Sequence, residues 1–471
     1  MSKPYPNNPY LRGNFAPIRM ECDAPDLIIE GEMPQDLNGS LYRIGPDPQF
    51  APRDKNHHWF AGDGMIHGFH IEDGKVGYLN RWVRTPKFEL ERAAGESLYG
   101  AFGNPMTSDP SVHDKDSTIA NTNIVWHADK LLALEEGHAP YGIDPVTLES
   151  RGYHTFDDKL EGPMTAHPKM DAKTGEMFFF GYNAKGPFTD DLSYHVVSAD
   201  GTLTSSEWFK APYSAMVHDF IVSGDYAIFP IFPLTGSIER AIAGAPPFAW
   251  EPEKGGWVGV MPRDGSADSI RWFRASSSYV FHPMNAFNEG GKITAHVMQY
   301  EQAPLFPSPD GTPADPDKAQ ARLCKWTIDM DGNTDEIKEE YIDDSLAEFP
   351  RLDERFAGYD YRHGYFAAVD ERHKGDTGLF NQLAHFDLAT GKKSIYEVGP
   401  ADAVSEPVFV PRSEDAPEGR GYLLATVYRG EEHRSDLVVL DAENVADGPI
   451  ATAKLSHRIP FGFHGNWRQA G

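Results

Sequence analysis

Histidines are the residues of this chain whose type and surroundings could support metal chemistry. Four of its 19 histidines lie in apolar or turn-rich stretches: His167 in TAHPK, His218 in MVHDF, His282 in FHPMNAF and His464 in GFHGNW. Neutral imidazole is a common ligand of transition metals, iron among them. These four are far apart in the sequence, so no local motif joins them and only the fold could assemble a shared site. Each could equally be a buried histidine whose ring is satisfied by a backbone group.

Other chemical motifs are absent or weak. The chain has no G-x-S-x-G elbow, no phosphate-binding G-x(4)-G-K-[ST] loop and no H-E-x-x-H motif. His67 and His70 lie in MIHGFHIEDG, a pattern that predicts strand and turn, and residues three apart in a strand face opposite sides. The two cysteines, Cys22 and Cys324, are far apart, which excludes a disulfide framework and a cysteine-based zinc or iron–sulfur site.

The composition is that of an acidic protein with enough hydrophobic residues to form a large core. The 471 residues include 43 Lys plus Arg against 71 Asp plus Glu, a formal net charge of −28, which makes nucleic acid and anionic lipid poor partners. Hydrophobic residues at 40% argue against disorder. The start, MSKPYPNNPYLRGN, lacks a signal-peptide stretch, and the most apolar segment, 227–234, is broken by Pro230 and Pro233. We therefore expect a cytoplasmic protein with no integral membrane segment.

Many short strands joined by tight turns must position the histidines. The 44 glycines and 37 prolines are spread along the whole chain, as in proteins rich in strands and turns. Residues 237–243 and 87–94 predict short helices, and the Pro- and Asp-rich residues 303–321 predict an insertion. No domain boundary is visible, so we expect a single domain over 1–471, either a β-propeller or a large sandwich. Strands are predicted at 39–44, 130–134, 177–182, 226–230, 364–369, 421–427 and 436–440.

The sequence resembles the carotenoid cleavage oxygenase family, in particular its bacterial lignostilbene and isoeugenol dioxygenases. Ordered segments from end to end carry the likeness, among them NGSLYRIGPDPQ, WFAGDGMIHGFH, TAHPKMDAKTGEM, EFPRLDERF and FHGNW. The resemblance implies an all-β, seven-bladed β-propeller with loop and short-helix insertions forming a cap over an iron site. It also implies one Fe(II) per chain with O₂ as co-substrate, and the metal ligands would be His167, His218, His282 and His464.

The resemblance further implies residues that support the iron. Three glutamates that hydrogen-bond ligand histidines in the family map onto Glu136, Glu348 and Glu406, and the family's threonine beside the vacant iron position maps onto Thr122. Carboxylates in this role fix the tautomer and orientation of the imidazole rings. The alternatives are that each glutamate is a solvated surface charge and that Thr122 is a structural strand residue.

The chain departs from the lignostilbene and isoeugenol dioxygenases at positions that contact the substrate. An aromatic residue of the family maps onto Phe60, whereas the family's tyrosine and lysine positions hold Phe102 and Glu135. Tyrosine and lysine favour an ionised phenolic oxygen, but phenylalanine and an ionised glutamate do not. Glu135 could still accept a hydrogen bond from a neutral phenol, or it could point into solvent. The substrate could therefore be another phenylpropenoid, a compound without a free phenol, or an apocarotenoid.

The activity implied by the resemblance is oxidative alkene cleavage. We expect a non-haem Fe(II) dioxygenase that splits the C=C bond of a small hydrophobic aromatic olefin, a stilbene or a phenylpropenoid such as isoeugenol, into two carbonyl products. An apocarotenoid cleavage dioxygenase is the alternative enzyme. A propeller that has lost activity and serves as a binding scaffold is the alternative class, which metal content would separate from both enzymes. The sequence leaves open a homo-oligomer.

Overall fold

The computed structural model describes residues 3–370 and 379–470 and is built almost entirely of β-strands. It contains seven sheets of four or more strands and one two-stranded ribbon. Helices in the described part of the chain are limited to α1 (Pro86–Ala94), α2 (Ile238–Ile242) and single-turn 3₁₀ segments. These sheets confirm the seven-bladed β-propeller that the family resemblance implies. Among these described residues, no helix is long and apolar enough to span a membrane.

The chain divides into two compact units. Unit 1 comprises Met1–Asp158, Asp370–Leu383 and Ile395–Gly471, and unit 2 comprises Lys159–Val369 and Ala384–Ser394. The single domain over 1–471 stays a prediction.

Unit 1 contains three sheets. In spatial order, the strands of the first are Cys22–Ala24, Lys75–Trp82, Gly64–Glu72, Gly39–Pro46 and Gly465–Gln469. Those of the second are Asn123–His127, Lys130–Leu134, Tyr141–Ile143 and Ser150–Tyr153. Those of the third are Ile28–Gly31, Pro449–Lys454, Arg434–Asp441, Gly421–Arg429 and Ala403–Val404, with Val408–Pro411 also paired to Gly421–Arg429. Two of these sheets thus join strands from the beginning and the end of the chain.

Unit 2 contains three four-stranded sheets and the ribbon. The first sheet is Lys169–Met170, Met177–Tyr182, Asp191–Val197 and Leu203–Lys210. The second is Ile221–Val222, Tyr226–Ile231, Gly256–Pro262 and Arg271–Ala275, and the ribbon is Leu234–Gly236 with Phe248–Trp250. The third is Tyr279–Glu289, Lys292–Tyr300, Ala321–Asp329 and Lys338–Tyr341. One further sheet consists of Ala347–Leu352, His363–Ala368, Gln382–Asp387 and Lys392–Glu397.

Local sequence signals explain the strands and helices that were predicted. Asp73 and Gly74 join two paired strands with φ of 48° and 74°, as a two-residue type I′ hairpin turn requires. Helix α1 begins after Thr85, whose hydroxyl accepts the Phe88 N–H, and ends at Gly95 in the left-handed region. All seven predicted strands are present with ends shifted by at most a few residues, and no strand lies between Tyr300 and Ala321, where the insertion was predicted.

Candidate metal centre

Three of the four predicted ligand histidines converge within unit 2. The Nε2 atom of His218 lies 2.9 Å from Nε2 of His167 and 3.2 Å from Nε2 of His282. All three rings are buried. Two nitrogens about 2.1 Å from one metal ion and at right angles to each other stand roughly 3.0 Å apart, so the observed spacing is that of shared ligation. The sequence predicted this convergence only through the resemblance.

Irregular strand pairing directs His282 and its partner towards this cluster. The strand Tyr279–Glu289 changes register with its neighbour on both sides of Pro283, next to His282. The strand Ala347–Leu352 changes register after Glu348, and Phe349 takes a φ of 54°, which is unusual for a phenylalanine. Such bulges turn side chains away from the regular alternation of a strand and are common beside functional sites.

A carboxylate orients His282, and a second carboxylate lies near His167. The Nδ1–H of His282 donates to Oε2 of the buried Glu348 at 2.5 Å, which leaves the lone pair on the Nε2 atom that faces the cluster. Nδ1 of His167 lies 3.8 Å from Oδ2 of Asp219, which Lys169 also pairs at 2.8 Å. Burial raises the pKa of Asp219, and Lys169 opposes that shift. Asp219 was not among the predicted site residues, although it directly follows His218.

His464 is held in unit 1 by an analogous carboxylate. Its Nδ1–H donates to Oε1 of Glu406 at 2.9 Å, and the other carboxylate oxygen accepts the Gly465 N–H at 2.8 Å. The buried Arg43 donates to the carbonyl oxygens of Glu406 at 3.1 Å and Phe463 at 3.0 Å. Arg43 therefore ties together the two segments that carry this histidine and its partner. A charged residue inside the apolar strand GSLYRI was the signal that could have identified it.

Four buried histidines could hold a metal ion: His167, His218, His282 and His464. Two of them, His282 and His464, donate Nδ1–H to a carboxylate, so each keeps Nε2 as a metal-binding lone pair. An all-imidazole set suits divalent iron as well as zinc, copper and nickel. The residues present therefore fit a ferrous ion, although the donor set alone does not select it.

Thr122 lies beside His464, and Glu136 follows the strand whose last residue bonds to Thr122. The backbone N–H of Thr122 donates to Leu134 at 2.9 Å, and its carbonyl accepts the N–H of His464 at 3.3 Å. Glu136 is half-buried just beyond the strand Lys130–Leu134. The roles of Thr122 and Glu136 towards the metal stay predictions.

Aromatic side chains cluster around Phe463, the residue before His464. The ring of Phe60 meets the ring of Phe102 edge to face, with centroids 5.6 Å apart, and meets the ring of Phe463 in the same way at 5.6 Å. His58 stacks on Phe102 at 5.1 Å, and Trp59 contacts Phe463 at 4.4 Å. Because Phe463 precedes His464, this aromatic cluster adjoins a candidate metal ligand. Its surface suits a flat, apolar ring.

Glu135 lies in a half-buried acid–base pair rather than in solvent. Its side chain is 12% exposed, and its Oε1 accepts from Nδ1 of His138. Burial lowers the pKa of His138, but Glu135 more than offsets this and raises it to about 9. At neutral pH the pair therefore consists of a carboxylate and an imidazolium and has no net charge. His138 was not among the predicted site residues, although it lies three residues beyond Glu135.

Comparisons with known proteins agree with this architecture. A family model described as retinal pigment epithelial membrane protein matches residues 15–469. The chain is 45% identical over 470 residues to isoeugenol monooxygenase of Pseudomonas putida, covering 98% of each chain. It is 41% identical over 480 residues to lignostilbene-alpha,beta-dioxygenase isozyme III of Sphingomonas paucimobilis, covering 99% of this chain and 98% of the other. The crystal structure of Pseudomonas brassicacearum lignostilbene dioxygenase matches with a TM-score of 0.96 at 39% identity, over 100% of both chains.

Proposed function

This chain belongs to the retinal pigment epithelial membrane protein family of carotenoid oxygenases, and we propose that it cleaves the C=C bond of an aromatic olefin with O₂. The products are two carbonyl compounds, and the substrate is a stilbene or a phenylpropenoid such as isoeugenol. The observation that carries the proposal is the group of four buried histidines, in a chain similar over its length to enzymes named for isoeugenol and lignostilbene.

The metal in this proposal is one ferrous ion per chain, held by His167, His218, His282 and His464. A ferrous ion with neutral ligands keeps its double positive charge and supplies the redox chemistry that O₂ activation requires. Glu348 and Glu406 keep their histidines in the tautomer that binds metal through Nε2. We assign Glu136 to the same supporting role and Thr122 to the neighbourhood of an open metal position.

The aromatic cluster is the proposed binding surface for the substrate ring. Phe60 and Phe102 offer apolar edges and faces, which exclude water and orient a flat conjugated molecule. Neither side chain donates or accepts a hydrogen bond, so recognition of a ring hydroxyl falls to Glu135. The carboxylate of Glu135 accepts a hydrogen bond from a neutral phenol, and His138 balances its charge. The proposed substrate is therefore a neutral phenol bound through Glu135, or a methyl ether bound through the aromatic cluster alone.

Location and domain organisation also remain proposals. We assign the protein to the cytoplasm, which agrees with two cysteines that form no disulfide, and we treat the chain as a single propeller domain.

A product screen tests the proposed function. Iron-loaded protein is incubated with O₂ and, separately, isoeugenol, vinylphenols, 4-hydroxystilbenes, 4-methoxystilbenes and apocarotenals, and the products are identified by mass spectrometry. We expect aldehydes from the aromatic olefins and none from a matched His282→Ala preparation. Cleavage of apocarotenals alone would assign the protein to apocarotenoid cleavage, and metal-free, inactive protein would support a scaffold.

A further inference from the structure

Unit 1 contains a buried ion triad on helix α1 and on the segment that follows the 3₁₀ turn Trp59–Ala61. The Nζ atom of Lys87 on helix α1 is 2.7 Å from Oδ1 of Asp63 and 3.0 Å from Oε2 of Glu91. The three side chains are at most 8% exposed. Burial opposes the charge of Lys87, but the two neighbouring carboxyl groups raise its pKa above the ordinary value, so Lys87 stays protonated. Buried charges of this kind are weak contributors to stability and can instead select one geometry.

One end of the triad is tied to the segment that carries Phe60. Asp63 lies two residues beyond the 3₁₀ turn Trp59–Ala61, and its Oδ2 accepts the backbone N–H of Gln49 at 3.0 Å. The amide of Asn121 donates to the carbonyl oxygens of Phe60 at 2.9 Å and Gly62 at 2.7 Å. The Phe60 segment is therefore held on both sides, with Asp63 as its link to helix α1.

The other end of the triad is tied to the segment that leads to Phe102. Oε1 of Glu91 accepts three hydrogen bonds, from the N–H of Leu98 at 2.7 Å, the N–H of Tyr99 at 3.1 Å and the hydroxyl of Ser97 at 3.1 Å. This one carboxylate oxygen thus fixes the first residues after α1. The segment continues to Phe102, whose ring meets the ring of Phe60.

We propose that Lys87 and Glu91 are positioning residues that hold Phe60 and Phe102 in edge-to-face contact and thereby set the affinity for the substrate ring. The proposal rests on the proposed function, because that function makes the two rings a binding surface. Lys87 pairs with Asp63, which lies next to the Phe60 segment, and with Glu91, which fixes the segment leading to Phe102. The positive charge of Lys87 therefore opposes separation of the two segments. Loss of the triad loosens the ring-binding surface and leaves the histidine cluster intact.

Glu91→Gln in iron-loaded enzyme tests the proposal, with Asp402→Asn as the matched control. Asp402 also pairs with a cation, Arg429 at 3.0 Å, and accepts a backbone N–H, from Gly430 at 3.0 Å. We expect Glu91→Gln to raise the KM for isoeugenol about tenfold, with kcat within about threefold and iron content unchanged. Amide hydrogen exchange should accelerate in residues 97–102 of Glu91→Gln and stay at the parent rate there in Asp402→Asn.

Equal KM and equal exchange in parent and Glu91→Gln would overturn the proposal, as would loss of iron from Glu91→Gln. If Glu91→Gln does not fold, Ser97→Ala removes a single donor and carries the same measurements, with a rise in KM of about threefold. If the parent cleaves no aromatic olefin, the proposed function fails. The proposal for Lys87 and Glu91 is then tested by calorimetry, which compares the binding of 2-methoxy-4-propylphenol to the parent and to the variant, together with the hydrogen-exchange rates. Weaker binding and faster exchange in the variant support it, and unchanged values overturn it.

Discussion

Glu348→Gln should weaken metal binding without altering the fold. The change keeps the shape of the side chain but replaces a charged acceptor, 2.5 Å from Nδ1 of His282, by a neutral amide. A hydrogen bond to a charged group contributes roughly 1.5–3 kcal/mol and a neutral one roughly 0.5–1.5, a difference of about 1–2 kcal/mol. Since each 1.4 kcal/mol is about a tenfold change in a binding constant, we expect metal affinity to fall about 5- to 30-fold. Partners of metal-bound histidines typically show losses of about 10–100-fold.

Competition of the protein with a chelator for Fe(II) or Co(II) under anaerobic conditions measures this loss. Asp353→Asn is the matched control, because Asp353 is a buried unit 2 carboxylate that pairs with Arg355 rather than with a histidine. The control should bind metal like the parent. Equal metal affinity in Glu348→Gln and the parent would refute the assignment of Glu348 as the orienting partner of His282.

Further predictions concern the acid–base pair, the substrate and the origin of the product oxygens. The pKa of His138 is raised from 6.5 to about 9. The parent protein should therefore be more stable than His138→Gln below about pH 6.5, and this difference should disappear as the pH rises through about 9. Denaturant unfolding at a series of pH values measures the difference. Parent enzyme should cleave a 4-hydroxystilbene and its 4-methoxy analogue at comparable rates, and Glu135→Lys with Phe102→Tyr should favour the 4-hydroxy substrate; a strong parental preference for the free phenol that the double change leaves unmoved would contradict this. Under ¹⁸O₂, both carbonyl products, reduced at once to alcohols to prevent exchange with water, should carry label; label in one product alone would indicate a monooxygenase.

Sequence patterns predicted the strands well because their signals are local. Segments such as Lys130–Leu134 and Met177–Tyr182 are apolar runs bounded by turn residues, and their observed ends coincide with those predicted. The pair Asp73-Gly74 adopts positive φ as its residue types favour. The number of sheets and the convergence of distant histidines depend on long-range packing, so only the resemblance to a known family provided them.

The residues that the sequence missed act through contacts between distant segments. Arg43 binds carbonyl oxygens more than 360 positions away along the chain, and nothing next to it in the sequence indicates those partners. The bulge at Phe349 arises from pairing between strands and not from a local motif. As an isolated charge, Glu135 would repel a phenolate 4 Å away by about 4 kcal/mol at an effective dielectric of 20. Its pairing with His138 cancels most of that repulsion.

The most direct test of the central claim is a titration of metal-free protein with Fe(II) while aldehyde formation from an aromatic olefin is followed under O₂. The proposed four-histidine site predicts that the rate rises linearly and reaches a plateau at one iron per chain. His464→Ala should bind little iron and form almost no aldehyde at any iron concentration. Cleavage by the metal-free protein, a plateau at another stoichiometry, or full iron binding by His464→Ala would contradict the claim.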